Sequence, residues 1–214
     1  VWFDALVNYI SVPAARGDAA VLAGLPNSKL KTQNSTPELW PADVHVIGKD
    51  ILKFHAVYWP IMLKAMGLPL PKQLLVHGWW QKDGEKMSKT TGNVVEPVKV
   101  IEEWGLDAFR FYVVRELDIG PDGNWTDESF QARYHAELAN GLGNLVNRSL
   151  SMLKRYRNGV VPARSNELAA ETEKAVAEAR RLLTENELKS ALEAIWSLIT
   201  RANQYVDQTA PFKL

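Results

Sequence analysis

Cysteine is absent from the 214 residues, so no disulfide framework and no thiolate metal site can belong to this chain. Net charge is absent too: 25 Lys and Arg balance 25 Asp and Glu. A neutral mean field does not draw the molecule to nucleic acid or to a membrane, and any RNA contact has to come from a local patch. No uninterrupted apolar run approaches the roughly 18 residues needed to cross a bilayer, and no charged start leads into an apolar core as in a secretion signal. A soluble, cytoplasmic chain is the expectation. Histidine is sparse, with four at positions 45, 55, 77 and 135 and no metal-ligand spacing among them. Internal repeats, paired carboxylates, a nucleophile elbow and a Walker loop are all missing.

What is present divides in two. The length suits one large domain or two ordinary ones, and a change of pattern favours two: an α/β part over residues 1–125 and an all-helical part over residues 126–214. The chain opens on Val1-Trp2-Phe3-Asp4-Ala5 with no initiator methionine and an apolar segment already under way, as expected of a piece of a longer protein. Residues 1–10, dense in aromatic and β-branched groups, read as a buried strand running into a helix, with Asp4 the anomaly. Residues 13–37 carry enough Pro, Gly and Asn for a loop with at most one short helix. Residues 44–47 then read as a strand, Gly48 as a turn, and residues 51–65 as a helix with apolar positions 51, 54, 58, 62 and 65. That order puts Asp50 at the carboxyl edge of a parallel sheet, where open α/β folds bind ligands. His55 and Trp59, four apart, share a helical face. Each also has a plainer reading: Asp50 as a cap, His55 as a satisfied buried ring, Trp59 as core.

Residues 74–80 read as a second strand, which leads into Gly84-Glu85-Lys86-Met87-Ser88-Lys89-Thr90-Thr91-Gly92-Asn93. Two lysines three apart among hydroxyls and between glycines suit a clamp for a polyphosphate, since ammonium and hydroxyl groups can follow moving negative charge. A solvated turn has the same composition. Helices are expected over 97–104, closed by Gly105, and over 107–116 with Asp107 as cap; residues 121–124 break the pattern. From Thr126, another cap, apolar residues recur at three and four to residue 158 in one long amphipathic helix. Between residues 130 and 158, Arg133, Arg148, Lys154, Arg155 and Arg157 face one acid, Glu137, so this part of the helix is locally basic. Helices over 166–184 and 186–209 complete an expected antiparallel bundle.

Five separated motifs stand in one order: Trp2-Phe3-Asp4-Ala5 with Tyr9; Gly48-Lys49-Asp50 with His55 and Trp59-Pro60; the Lys86-Met87-Ser88-Lys89-Thr90 (KMSKT) loop; Gly143-Asn144-Leu145-Val146-Asn147-Arg148; and Ala210-Pro211-Phe212. Together they resemble the bacterial methionyl-tRNA synthetases, class I aminoacyl-tRNA synthetases. The resemblance implies the second half of such an enzyme: the later part of a nucleotide-binding, Rossmann-like α/β fold with the stem-contact region, then a truncated anticodon-binding helix bundle. It implies a methionine-tRNA ligase that uses ATP with Mg2+ to make methionyl-adenylate and transfers methionine to tRNA(Met). Trp2, Tyr9, Asp50, His55 and Trp59 would form the methionine pocket, with Asp50 near the substrate ammonium. Lys86, Ser88 and Lys89 would bind ATP, the two lysines carrying the catalytic charge. Asn144, Arg148 and Phe212 would meet the anticodon, phenylalanine standing where the family has a stacking tryptophan.

The family's His-Ile-Gly-His signature has no counterpart here, because His45-Val46-Ile47-Gly48 is followed by lysine. It and the zinc knuckle of many relatives would lie in a missing N-terminal half, so no zinc is expected in this chain, and the chain alone is expected to be inactive. A synthetase of the leucine, isoleucine and valine group, or a non-catalytic tRNA-binding module, are the alternatives.

Overall fold

A computed structural model describes residues 1–15, 39–88, 90, 92–163 and 166–211. Lys89, Phe212 and most of the loop expected over 13–37 lie outside the described residues. The chain divides into two compact units, Val1–Trp79 and Trp80–Leu214.

The first unit begins with α1 (Trp2–Ala15), not with the expected strand. Its buried residues are Leu6, Ile10 and Pro13, a spacing of four and three that only a helix can place on one face. A run this rich in aromatic and β-branched residues is ambiguous until something covers one side of it. Asp4 lies in the first turn, where a negative charge favours the helix dipole. Next come β1 (Val44–Gly48), a 3-10 turn (Lys49–Ile51), a π-helical turn (Phe54–Tyr58) running into α2 (Trp59–Ala65), and β2 (Gln73–His77). The two strands are parallel, with Val44 opposite Gln73 and Gly48 opposite His77, so the intervening helix is the crossover that parallel strands need.

The buried line of that helix is His55, Trp59 and Leu63. This corrects the expected apolar face, because Tyr58 and Ala65 are exposed. A π turn inserts a residue into the helical repeat and turns later side chains relative to a simple 3.6-residue count. Leu6, Ile10, Trp40, Trp59, Leu63 and Leu68 form the core of this unit.

In the second unit β3 (Trp80–Lys82) sits between β4 (Glu85–Lys86) and β5 (Gly123–Trp125), antiparallel to the first and parallel to the second. Asp83 (φ 53) and Gly84 (φ 81) make the two-residue β3–β4 turn, a pairing that suits two positive φ values in succession. Helices α3 (Pro97–Trp104) and α4 (Leu106–Glu116) follow, and Gly105 joins them at φ 89. Gly105, not Asp107, occupies the cap of α4, and Asp107 lies in its first turn. The break at 121–124 runs directly into β5, where a Cβ on Gly123 would stand 1.8 Å from Leu117 Cδ1 and 2.7 Å from its Cγ, so any larger residue there requires the Leu117 side chain to move.

Thr126 does cap the long helix, its Oγ1 accepting from the Ser129 amide at 3.0 Å. That helix comprises α5 (Asp127–Arg133), a π-helical stretch (Tyr134–Gly143) and α6 (Asn144–Arg157). Helices α7 (Ala169–Thr184) and α8 (Leu188–Thr209) pack along one another, and a connection this short makes them antiparallel. The core of the unit is Ala108, Tyr112, Trp125 and Phe130. Among the described residues no helix is long and apolar enough to cross a membrane.

Candidate functional site

Four of the five expected pocket residues meet in the first unit. Tyr9 of α1 donates its hydroxyl hydrogen to His55 Nε2 at 2.9 Å, and His55 Nδ1 donates to the Ile51 carbonyl at 3.0 Å. A carbonyl oxygen can only accept, so Nδ1 carries a proton and Nε2 faces the Tyr9 hydroxyl. His55 and Trp59 are fully buried, at 1% and 0% exposure. Tyr9 tilts over Trp59 at a ring separation of 6.0 Å. Trp2 stacks on Phe54 at 4.3 Å and meets the His55 ring edge-on at 6.3 Å. The result is an aromatic cage with the buried His55 ring inside it, hydrogen-bonded to a Tyr9 that, like Trp2, forms a partly exposed rim.

Sequence reasoning missed three members of this cage. His45 on β1 packs edge-on against Tyr9 at 4.3 Å and lies 6.0 Å from the His55 ring. Trp40 meets both His45 and Trp59 and donates Nε1 to the Pro69 carbonyl at 3.0 Å. Phe54 carries the stacked Trp2. A signal for His45 existed: β1 buries alternate residues, His45 and Ile47, the period-two pattern of a strand. Burial first, and the nearby His55 second, hold His45 below the ordinary imidazole range. Nε1 of Trp59 and Nε2 of His45 are buried without a hydrogen-bond partner among the described residues; groups of this kind take a ligand atom or an ordered water.

Asp50, the fifth, is exposed on the 3-10 turn. A Cβ on Gly48 would sit 2.6 Å from Asp50 Oδ1 and 3.6 Å from His77 Cε1. Glycine at that strand end is what lets the carboxylate fold back over the backbone. Beside it, Lys49 Nζ lies over the Trp79 ring at 4.6 Å.

The lysine loop belongs to the second unit. Lys86 ends β4 with its side chain exposed. Met87 turns inward against Trp80, Val95, Phe109 and Trp125, beside a cavity of about 250 Å³. The Ser88 amide donates to Asn93 Oδ1 at 2.9 Å, and the Thr90 amide donates to Ser88 Oγ at 3.2 Å. Ser88 therefore organises the turn as well as offering a hydroxyl. Lys89 lies outside the described residues.

On the long helix, Asn144 is exposed and Arg148 lies one turn further on, its Nη2 donating to Asp207 Oδ1 of α8 at 2.6 Å. The basic character expected of this helix is partly cancelled. Arg133 pairs with Glu116 and Glu137, and Arg115 bridges Glu137 at 2.8 Å and Glu193 at 2.9 Å. Phe212 lies outside the described residues.

Comparison with known proteins gives consistent findings. The family model for class I tRNA synthetases (M) matches residues 1–150. The methionine–tRNA ligase 1 of Bacillus anthracis is 44% identical over 225 residues, covering 100% of this chain and 32% of the relative. The methionine–tRNA ligase of Bacillus subtilis is 43% identical over 222 residues, covering 100% of this chain and 31% of the relative. Methionyl-tRNA synthetase of Mycobacterium tuberculosis bound by methionyl-adenylate superposes with a TM-score of 0.83 at 37% identity, covering 99% of this chain and 40% of that one. The chain spans about a third of the length of the curated relatives it matches.

Proposed function

The chain belongs to the class I tRNA synthetases (M), and on that premise we propose that it is the later part of a methionine-tRNA ligase. The whole enzyme would activate methionine with ATP and transfer it to tRNA(Met). The observation that carries this is the aromatic cage with the Tyr9–His55 hydrogen bond. Aromatic faces and edges favour a polarizable thioether, and a branched aliphatic side chain would gain less from them.

The division of labour follows from the chemistry. Trp2, Tyr9, His55 and Trp59 enclose the methionine side chain, and the exposed Asp50 carboxylate pairs the substrate ammonium. A methionine carboxylate oxygen attacks the α-phosphorus of ATP and the bond to the bridging oxygen breaks. Methionyl-adenylate forms and pyrophosphate leaves. Little covalent work remains for the protein, so positioning and charge stabilisation dominate. Lys86, Ser88 and Lys89 hold the phosphates, with Lys89 on the charge of the departing pyrophosphate. A terminal ribose hydroxyl of tRNA(Met) then attacks the acyl carbon and AMP departs.

Magnesium would be held by the phosphates of the nucleotide and would supply charge neutralisation there; among the described residues no three His, Asp or Glu gather at a point that could hold a metal ion. Residues 1–125, with the lysine loop, are the later part of the class I catalytic domain in this reading, and residues 126–214 a truncated anticodon-binding domain. Asn144, Arg148 and Phe212 would meet the anticodon in a cytoplasmic enzyme.

The test is complementation. The 214 residues alone are expected to give no methionine-dependent ATP–pyrophosphate exchange; adding the residues that precede this segment in its relatives restores it, with methionine and not with leucine, isoleucine or valine. Binding of tRNA without restored exchange would instead favour a non-catalytic module.

A further inference from the structure

The amide side chain of Asn93 bridges two residues of the lysine loop at once. Its Oδ1 accepts from the Ser88 amide at 2.9 Å, and its Nδ2 donates to the Lys86 carbonyl at 3.1 Å. These are the two backbone groups that flank Met87. One side chain thus supplies a donor and an acceptor in the way a neighbouring strand would, just where β4 stops pairing with β3 at Lys86.

Between the two bonds the Met87 side chain drops toward the cavity of about 250 Å³ lined by Trp80, Val95, Pro97, Phe109, Val113 and Trp125. A flexible thioether fills an irregular aromatic recess well. Beyond Ser88 the chain turns back, the Gly92 amide donating to the Ser88 carbonyl at 3.1 Å. Gly92 is at φ 74, a conformation that glycine takes at no steric cost. This return is what brings Asn93 alongside residues 86 to 88. Asn93 is partly buried, and nothing about it requires contact with a ligand.

Resting on the phosphate-site reading above, we propose that Asn93 is the positioning residue of the lysine loop. It fixes the backbone on both sides of Met87, so that Lys86 and Ser88 are presented to a polyphosphate in one geometry. Without it, the loop loses the bridge across Met87, and the two phosphate-binding side chains sample several orientations. The cost then falls on phosphate affinity and leaves the fold intact.

The test uses the 214-residue chain, amide hydrogen exchange at Ser88, and titration with inorganic tripolyphosphate. Asn93→Ala is expected to speed exchange at the Ser88 amide and to weaken tripolyphosphate binding, each by about five- to tenfold, the size of one net hydrogen bond. Exchange at the Ser129 amide, held by Thr126, stays unchanged. Asn93→Asp keeps the acceptor for the Ser88 amide and restores its protection, which a general loosening of the fold would not allow. Unchanged Ser88 exchange in Asn93→Ala overturns the proposal, as does faster exchange with unaltered tripolyphosphate affinity. Failure of the unsubstituted chain to bind tripolyphosphate sinks the phosphate-site reading and the positioning role with it, and is recognised apart because no variant is involved.

Discussion

Tyr9 and His55, 46 positions apart in sequence, share a 2.9 Å hydrogen bond in which the phenol donates and the imidazole Nε2 accepts. The Ile51 carbonyl fixes the tautomer from the other side of the ring at 3.0 Å. The pair holds α1 against the crossover helix and gives the aromatic cage a polar interior. Removing the phenol hydroxyl leaves a fully buried ring nitrogen without its donor. Tyr9→Phe is therefore expected to lower the stability of the chain by about 1 kcal/mol in urea unfolding. An unchanged unfolding midpoint would show that this hydroxyl carries no weight.

His45 gives the cage a pH dependence. Its folded form resists protonation, because burial and His55 both disfavour the charge. The unfolded chain takes up that proton as pH falls through about 6.5. The stability His45 allows is thus fully present above about pH 6.5 and is lost as pH falls toward the lower folded value. Urea midpoints compared at pH 7 and pH 5 are expected to fall more steeply in the native sequence than in His45→Phe, which keeps a ring against Tyr9. Equal slopes in the two proteins refute the assignment.

Lys86 separates function from stability. Its side chain is exposed at the end of β4, so Lys86→Gln is expected to change unfolding free energy by less than about 0.5 kcal/mol. Tripolyphosphate affinity is expected to fall by about tenfold, the value of a charge-assisted contact of about 1.5 kcal/mol. Calorimetric titration beside urea unfolding reads both, and full retention of affinity would remove Lys86 from the phosphate site.

Glu137 uses both carboxylate oxygens on two guanidinium groups, Arg115 and Arg133, in a half-buried network. Exposed pairs contribute about 0 to 1 kcal/mol, and breaking a buried pair costs about 3 to 5 kcal/mol. Glu137→Ala is expected between those limits, at about 2 kcal/mol in chemical unfolding. Asp43→Ala removes the partner of Lys72 from a pair whose side chains are 65% and 80% exposed and is expected to cost less than about 0.5 kcal/mol. Similar costs for the two variants would contradict the burial argument.

Arg148 and Asp207 make a pair in which Arg148 is 29% exposed and Asp207 63%, with guanidinium donors to spare. If Arg148 reads a base, Arg148→Gln weakens tRNA(Met) binding by about tenfold or more and blurs discrimination against other tRNAs. A phosphate contact would instead weaken all tRNAs alike and reduce the salt dependence of binding. Filter binding at two salt concentrations separates the cases.

Motif order in the sequence pointed to a family that the comparisons bear out, and local chemistry placed several elements well. The ends of α3 at Pro97 and Gly105 and the Thr126 cap follow from backbone rules that act within a few residues. The first ten residues read as a strand running into a helix, and not as helix throughout, because aromatic and β-branched density does not distinguish a buried strand from a buried helix. Asp107 was mistaken for a cap because the rule names residue types, and Gly105 satisfied the turn with its backbone. The period-two pattern of β1 carries a signal for His45, whereas Trp40, Phe54 and the bridging role of Asn93 are not legible, since each depends on which residues become neighbours after folding.

The sequence by itself determined the family, the candidate residues and the rhythm of helix and loop, because these are carried by side-chain type and short spacing. Only the tertiary structure decided which histidine nitrogen holds a proton, which tryptophan is sealed at 0% exposure, and which side chain pins the lysine loop. Those outcomes depend on burial and on hydrogen bonds between segments far apart in the chain. Such contacts exist only after the conformational entropy of the intervening residues has been lost, and spacing along the chain does not encode them.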